Sequence, residues 1–126
     1  MSRAIGRTVW AIPEGWIPAY SEGKGGHALE SHEAACLLNA GDADAHVTLT
    51  IFFRDRDPAG PYRIVVPARR TLHLRFNDLR DPEPIPPATD YASVIESDVP
   101  IVVQHTRLDA RQAETALLST IAWAAD

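Results

Sequence analysis

Ten prolines and seven glycines interrupt a chain of 126 residues. Proline removes a backbone donor and fixes φ, so it breaks helices and is kept out of central strands. Between these breaks many runs alternate apolar with polar residues. Alternation at period 2 is the mark of a half-buried strand. The chain is thereby steered toward short strands joined by turns.

Thr8 to Ile12 reads as a first strand, stopped by Pro13, with Gly15 and Pro18 forcing a bend. Tyr20 to Glu30 is glycine-rich and polar and reads as an exposed, mobile loop. Ala34 to Asn39 is a second strand. Ala45 to Phe53 alternates most cleanly, with Val47, Leu49, Ile51 and Phe53 on one face and His46, Thr48 and Thr50 on the other. Tyr62 to Val66 returns after a polar hairpin connection, and Arg70 to Phe76 alternates again. Asn77 to Pro87 carries four prolines and is neither a central strand nor a helix. Tyr91 to Ile95 and Ile101 to Leu108 read as two strands joined through Ser97, Asp98, Val99 and Pro100. The last segment has good helix formers between Arg111 and Leu118 but weak helical spacing. It reads as a loop followed by a closing strand over Leu117 to Trp123.

About eight short strands with Gly/Pro turns predict an all-β fold, a single antiparallel β-sandwich domain spanning residues 1–126. A chain of this length buries about 65–70% of its unfolded surface, enough for a core without disulfide or metal. The one cysteine, Cys36, reads as a small buried apolar residue. The net charge of −5 leaves no excess of Lys and Arg to neutralise phosphates, which argues against nucleic acid as the main partner. No signal-peptide pattern opens the sequence and no run approaches the ~18 apolar residues of a membrane span, so the cytoplasm is the expected compartment.

The five histidines form no His-x-His or His-x-x-x-His pair, and there is no Gly-x-Ser-x-Gly elbow or phosphate-binding glycine loop. The Asp pairs 42/44, 55/57 and 78/81 lie in turn-like contexts that favour Asp for local hydrogen bonding. No catalytic residue, metal ligand set or cofactor is expected. A cupin-like, sugar-modifying metalloenzyme stays as an alternative, with Ser31-His32-Glu33 converging on His73 or His105. Two constellations could bind a ligand. Trp10, Glu14 and Trp16 lie within a Gly/Pro-bent stretch that could line a sugar groove, or else the tryptophans anchor a core or subunit interface. Arg69, Arg70, His73, Asn77, Gln104, His105 and Arg107 are polar residues on or beside apolar strands, where they either line a pocket or form a solvated face.

Longer blocks carry a resemblance. Gly6-Arg7, Trp10-Ala11-Ile12 and Glu14-Gly15 open it, and Leu38-Asn39-Ala40-Gly41-Asp42 and Gly60-Pro61-Tyr62-Arg63 continue it. Val66-Pro67-Ala68-Arg69-Arg70-Thr71, Arg75-Phe76-Asn77-Asp78-Leu79 and the block from Val99 through Asp109 follow. In order and over nearly the whole chain, the sequence resembles the cyanobacterial, Anabaena-type sensory rhodopsin transducer family.

The resemblance implies a β-sandwich that assembles as a homotetramer. It also implies a soluble cytoplasmic partner for the cytoplasmic face of a membrane sensory rhodopsin. The family is similar to carbohydrate-binding domains, which implies a pocket for a sugar-like small molecule. The expected function is a non-enzymatic signal-transducing or binding module. The expected ligand-binding residues are Trp10, Glu14, His32, Glu33, Arg69, Asn77, Gln104, His105 and Arg107. Trp10 would supply a stacking face, the carboxylates would accept from hydroxyls, and the arginines would take an anionic group. The alternative to a pocket is a pure protein-interaction adaptor.

Overall fold

The computed structural model describes residues 4–22 and 26–126. Its strands are β1 (Arg7–Gly15), β2 (His32–Asn39), β3 (Ala45–Phe53), β4 (Ala59–Val66), β5 (Arg70–Arg75), β6 (Tyr91–Asp109), β7 (Ala116–Ile121) and β8 (Trp123–Ala124). Short 3₁₀ turns cover Gly26–Leu29 and Phe76–Asp78. One layer has the order β4-β3-β6-β1-β8. In the other, β2 lies between β5 and β6, and β7 pairs with the far side of β6. Every pairing is antiparallel, and the all-β sandwich expected from the sequence is the architecture found.

The strand β6 belongs to both layers. Residues Tyr91 to Ser97 pair with β3, and Val102 to Leu108 pair with β2. The sequence reading of two strands separated by a loop is corrected here, because a single strand of 19 residues runs through Pro100. Asp98, Val99 and Pro100 sit at the handover between layers, where no cross-strand partner asks for the N–H that Pro100 lacks. Tyr91 and Arg107 both bond the same carboxyl group of Glu33. A straight strand would hold residues that far apart in sequence about 50 Å from each other. The strand therefore folds over at the handover.

Pro13 does not end the first strand either. The pairing of β1 with β6 shifts register between Ile12 and Gly15, so Pro13 and Glu14 occupy a bulge. Bulges absorb a proline and re-aim the neighbouring side chain. The final segment is two strands, broken at buried Ala122, whose N–H donates to the Val103 carbonyl. Part of the segment read as a mobile loop is the ordered 3₁₀ turn at Gly26–Leu29, and residues 23–25 lie outside the described set.

The core is made by the inward positions of both layers. Val47, Leu49 and Ile51 of β3 meet Trp10 and Ile12 of β1, Ile95, Ile101 and Val103 of β6, and Ala35 and Leu37 of β2. Burying each larger aliphatic side chain contributes about 1.5–3 kcal/mol. Phe76 packs tilted on Tyr91, ring centroids 5.5 Å apart. Cys36 is half-buried on the outward face of β2. Asn39, fully buried, donates to the carbonyls of Ala43, Val66 and Pro67 and accepts from the Gly41 N–H, which fixes the turn after β2 against the end of β4.

Candidate functional site

Period 2 places Glu33, Ala35, Leu37 and Asn39 of β2 inward. On β6, the neighbouring strand, His105 and Arg107 point the same way, with Glu33 directly opposite Arg107 and Ala35 opposite His105. The result is a charged group at the end of an apolar face. Glu33 is completely enclosed. Its Oε2 accepts from Arg107 Nε at 2.6 Å and lies 3.2 Å from His105 Nε2. Its Oε1 accepts from the Trp16 N–H at 2.9 Å and from the Tyr91 hydroxyl. Arg107 then reaches outward, and its Nη2 donates to Glu14, which the β1 bulge aims at it. Glu14 is exposed, so the arginine joins a buried carboxylate to one at the surface.

Burial acts most strongly on the Glu33 carboxyl and opposes ionisation. The bonds from His105, Tyr91, Arg107 and the Trp16 N–H together outweigh it and hold the group below its ordinary value. Burial, and then the Glu33 charge, push the Tyr91 hydroxyl far up, so it stays protonated and donates. Arg107 is held more firmly protonated by its two carboxylates, against a burial effect that works the other way. Glu33 is thus an ionised group with its lone pairs taken and no path to solvent. It positions its neighbours and has no acceptor left for a ligand.

Asn77, in the 3₁₀ turn after β5, ties this network to the surface. Its Oδ1 accepts from the Glu33 N–H at 3.1 Å, and its Nδ2 donates to the Ser31 carbonyl at 3.1 Å. Ser31 is buried; its hydroxyl donates to the Tyr20 carbonyl and accepts from the Ala110 N–H. Beyond these two residues opens a cleft of about 580 Å³, with Tyr20, Arg80, Pro84 and Pro87 on its walls.

Five of the nine expected residues, Glu14, Glu33, Asn77, His105 and Arg107, therefore form one bonded group. The other four lie elsewhere. Trp10 is enclosed in the core, and its indole N–H donates to the carbonyls of Arg7 and Ile101, so neither ring face is open for stacking. His32 faces outward into a pocket that His73 also lines, its Nδ1 2.6 Å from the Glu30 carbonyl. His105 faces inward onto Glu33 while His32 and His73 face outward, and among the described residues no three metal-ligating side chains gather at one point. Gln104 is exposed and donates to the Ser119 hydroxyl. Arg69 lies in the turn before β5 at φ 59°, its Nη1 3.6 Å from Asp42. Sequence reasoning missed Tyr91 and Arg80, and named Ser31 only within the metalloenzyme alternative. An inward-facing tyrosine was the available signal, since a buried hydroxyl requires an acceptor.

The family described as Anabaena sensory rhodopsin transducer matches residues 5–124 of the chain. The chain belongs to this family. A solved structure named Anabaena sensory rhodopsin transducer is 60% identical, covers 82% of this chain and 99% of its own, and has a TM-score of 0.71. The crystal structure of Thermotoga maritima 1070 is 33% identical, covers 96% of this chain and 97% of its own, and has a TM-score of 0.85. No curated protein matches. Among the described residues no helix is long and apolar enough to cross a membrane.

Proposed function

We propose that this chain is a non-enzymatic signal-transducing module that acts by binding. Its partner is the cytoplasmic face of a membrane sensory rhodopsin, and its working form is a homotetramer in the cytoplasm. The observation that carries this reading is the family match over residues 5–124, with 60% identity to the Anabaena transducer. The outer strand β7 supports the self-association. All six of its side chains are exposed, with Leu117 and Ile121 on one face and Leu118 on the other, and Trp123 of β8 is exposed as well. Clustered exposed apolar residues of this kind mark protein contacts. A second reading, a sugar-like small molecule as signal, is favoured by the cleft beside Asn77.

The test is titration of the purified chain onto a sensory rhodopsin held in lipid nanodiscs, with light scattering on the chain alone. Saturable binding and a four-copy mass are expected. Absence of binding to the cytoplasmic face overturns the receptor assignment, and a monomeric mass overturns the assembly.

A further inference from the structure

The cleft beside Asn77 holds a guanidinium, that of Arg80, which forms no ion pair among the described residues. Arg80 Nη1 donates to the carbonyls of Asn77, at 2.6 Å, and of Leu79, at 2.9 Å. Two backbone anchors fix one edge of the guanidinium at the cleft wall. Among the described residues no carboxylate lies within ion-pair distance of it; Glu30, the acidic residue lining the cleft, lies 3.7 Å from Arg75. A pre-positioned guanidinium with N–H donors left over is built for a planar, two-oxygen anion.

The rest of the lining narrows the class. Tyr20 is 61% exposed, and Pro18, Pro84 and Pro87 add flat apolar walls that suit the C–H face of a saturated ring. Ser21 Oγ accepts from the Ser31 N–H at 2.7 Å and keeps its own proton to donate, while Glu30 on the cleft wall offers carboxylate oxygens to a ligand's hydroxyls. A volume of about 580 Å³ lies in the range of small-molecule clefts and has room for a sugar ring. We propose that this cleft is the receptor site for a monosaccharide acid, with Arg80 holding its carboxylate. The proposal rests on the small-molecule reading above and gives it a place and a chemical class. It also gives that ligand a route inward. The backbone carbonyl of Asn77 holds Arg80, and its side chain holds the Glu33 N–H, so occupancy pulls on the residue that braces the buried network.

The experiment is isothermal titration of the full chain with glucuronate and galacturonate, their neutral parents glucose and galactose, and acetate, alongside amide chemical-shift mapping. The acids should bind at least about tenfold more tightly than the neutral sugars, the margin of a charge-assisted bidentate pair. Shifts should fall on Tyr20, Ser31, Asn77 and Arg80, and Arg80→Gln should erase the preference for acids. Tyr20→Ala, at an exposed side chain, should weaken acids and neutral sugars alike. Equal binding of acids and neutral sugars, indifference to Arg80→Gln, or acetate competing as well as the sugar acids overturns the proposal and leaves the small-molecule reading standing. Shifts centred elsewhere, such as around Arg69, do the same. No binding by any sugar overturns both.

Discussion

Replacing Glu33 with glutamine keeps the shape of the buried network and removes its charge. Four groups converge on the two carboxylate oxygens: the Trp16 N–H, the Tyr91 hydroxyl, Arg107 Nε and His105 Nε2. An amide has one acceptor oxygen and one NH₂. Whichever way it turns, the NH₂ faces donors. Removing one partner of a buried ion pair costs about 3–5 kcal/mol. Arg107 keeps Glu14 and some contact with water, so the lower end, about 3 kcal/mol, applies. Unfolding entropy of about 2.1 cal/mol/K per residue amounts to about 0.26 kcal/mol/K for a chain of this length, and Tm should fall by about 11 °C. Calorimetry at neutral pH checks this, at fixed protomer concentration because self-association shifts Tm. The pH dependence has a definite sign. The Glu33 pKa is lowered on folding from an ordinary 4.5, so its contribution is complete above that value and is lost as pH falls through the folded one. The gap between wild type and variant should narrow below pH 4.5. A Tm loss under about 3 °C, or a gap of constant width down to about pH 3, refutes the reasoning.

Three other variants test the packing around this network and the exposed edge. A methyl group on Gly15 would lie 2.5 Å from the Tyr91 ring, so Gly15→Ala should displace Tyr91 and cost about 1–3 kcal/mol in urea unfolding. Trp10→Phe should cost about 1–3 kcal/mol through two unpaired carbonyls, read by the same urea unfolding, and leave sugar-acid affinity unchanged in the titration. Leu117→Asp with Ile121→Asp should leave the Tm of the dilute protomer within about 2 °C, since both side chains are exposed, yet reduce the mass found by light scattering.

Much of this was legible in the residues, and the exceptions have physical causes. The alternation in β3 reported burial correctly, because Val47, Leu49 and Ile51 fill one side of a strand paired on both edges. Pro13 and Pro100 misled because a proline stops a strand only where its N–H would be used. One sits at a bulge and the other where β6 changes layers. His105 and Arg107 were singled out as polar residues on apolar strands and Glu33 as a ligand-binding carboxylate, and their union follows from the β2–β6 register. That register is long-range and cannot be read from local pattern. Trp10 shows the converse: two tryptophans near a carboxylate looked like a groove, but its indole faces are spent on the core. Arg80 escaped notice because it lies in a proline-rich stretch whose course is set by turns and not by periodicity.

The strand shared by both layers sets how the molecule comes apart. Of the other seven strands, β1, β2, β3 and β7 are each hydrogen-bonded to β6. Neither layer can peel away while that ribbon stays put, so fraying should stop at its outer neighbours, β4, β5 and β8. Amide hydrogens from Ala92 to Ile95 and from Val102 to Arg107 should be the last to exchange with deuterium, and at one common rate, because releasing either stretch means dissolving the whole molecule.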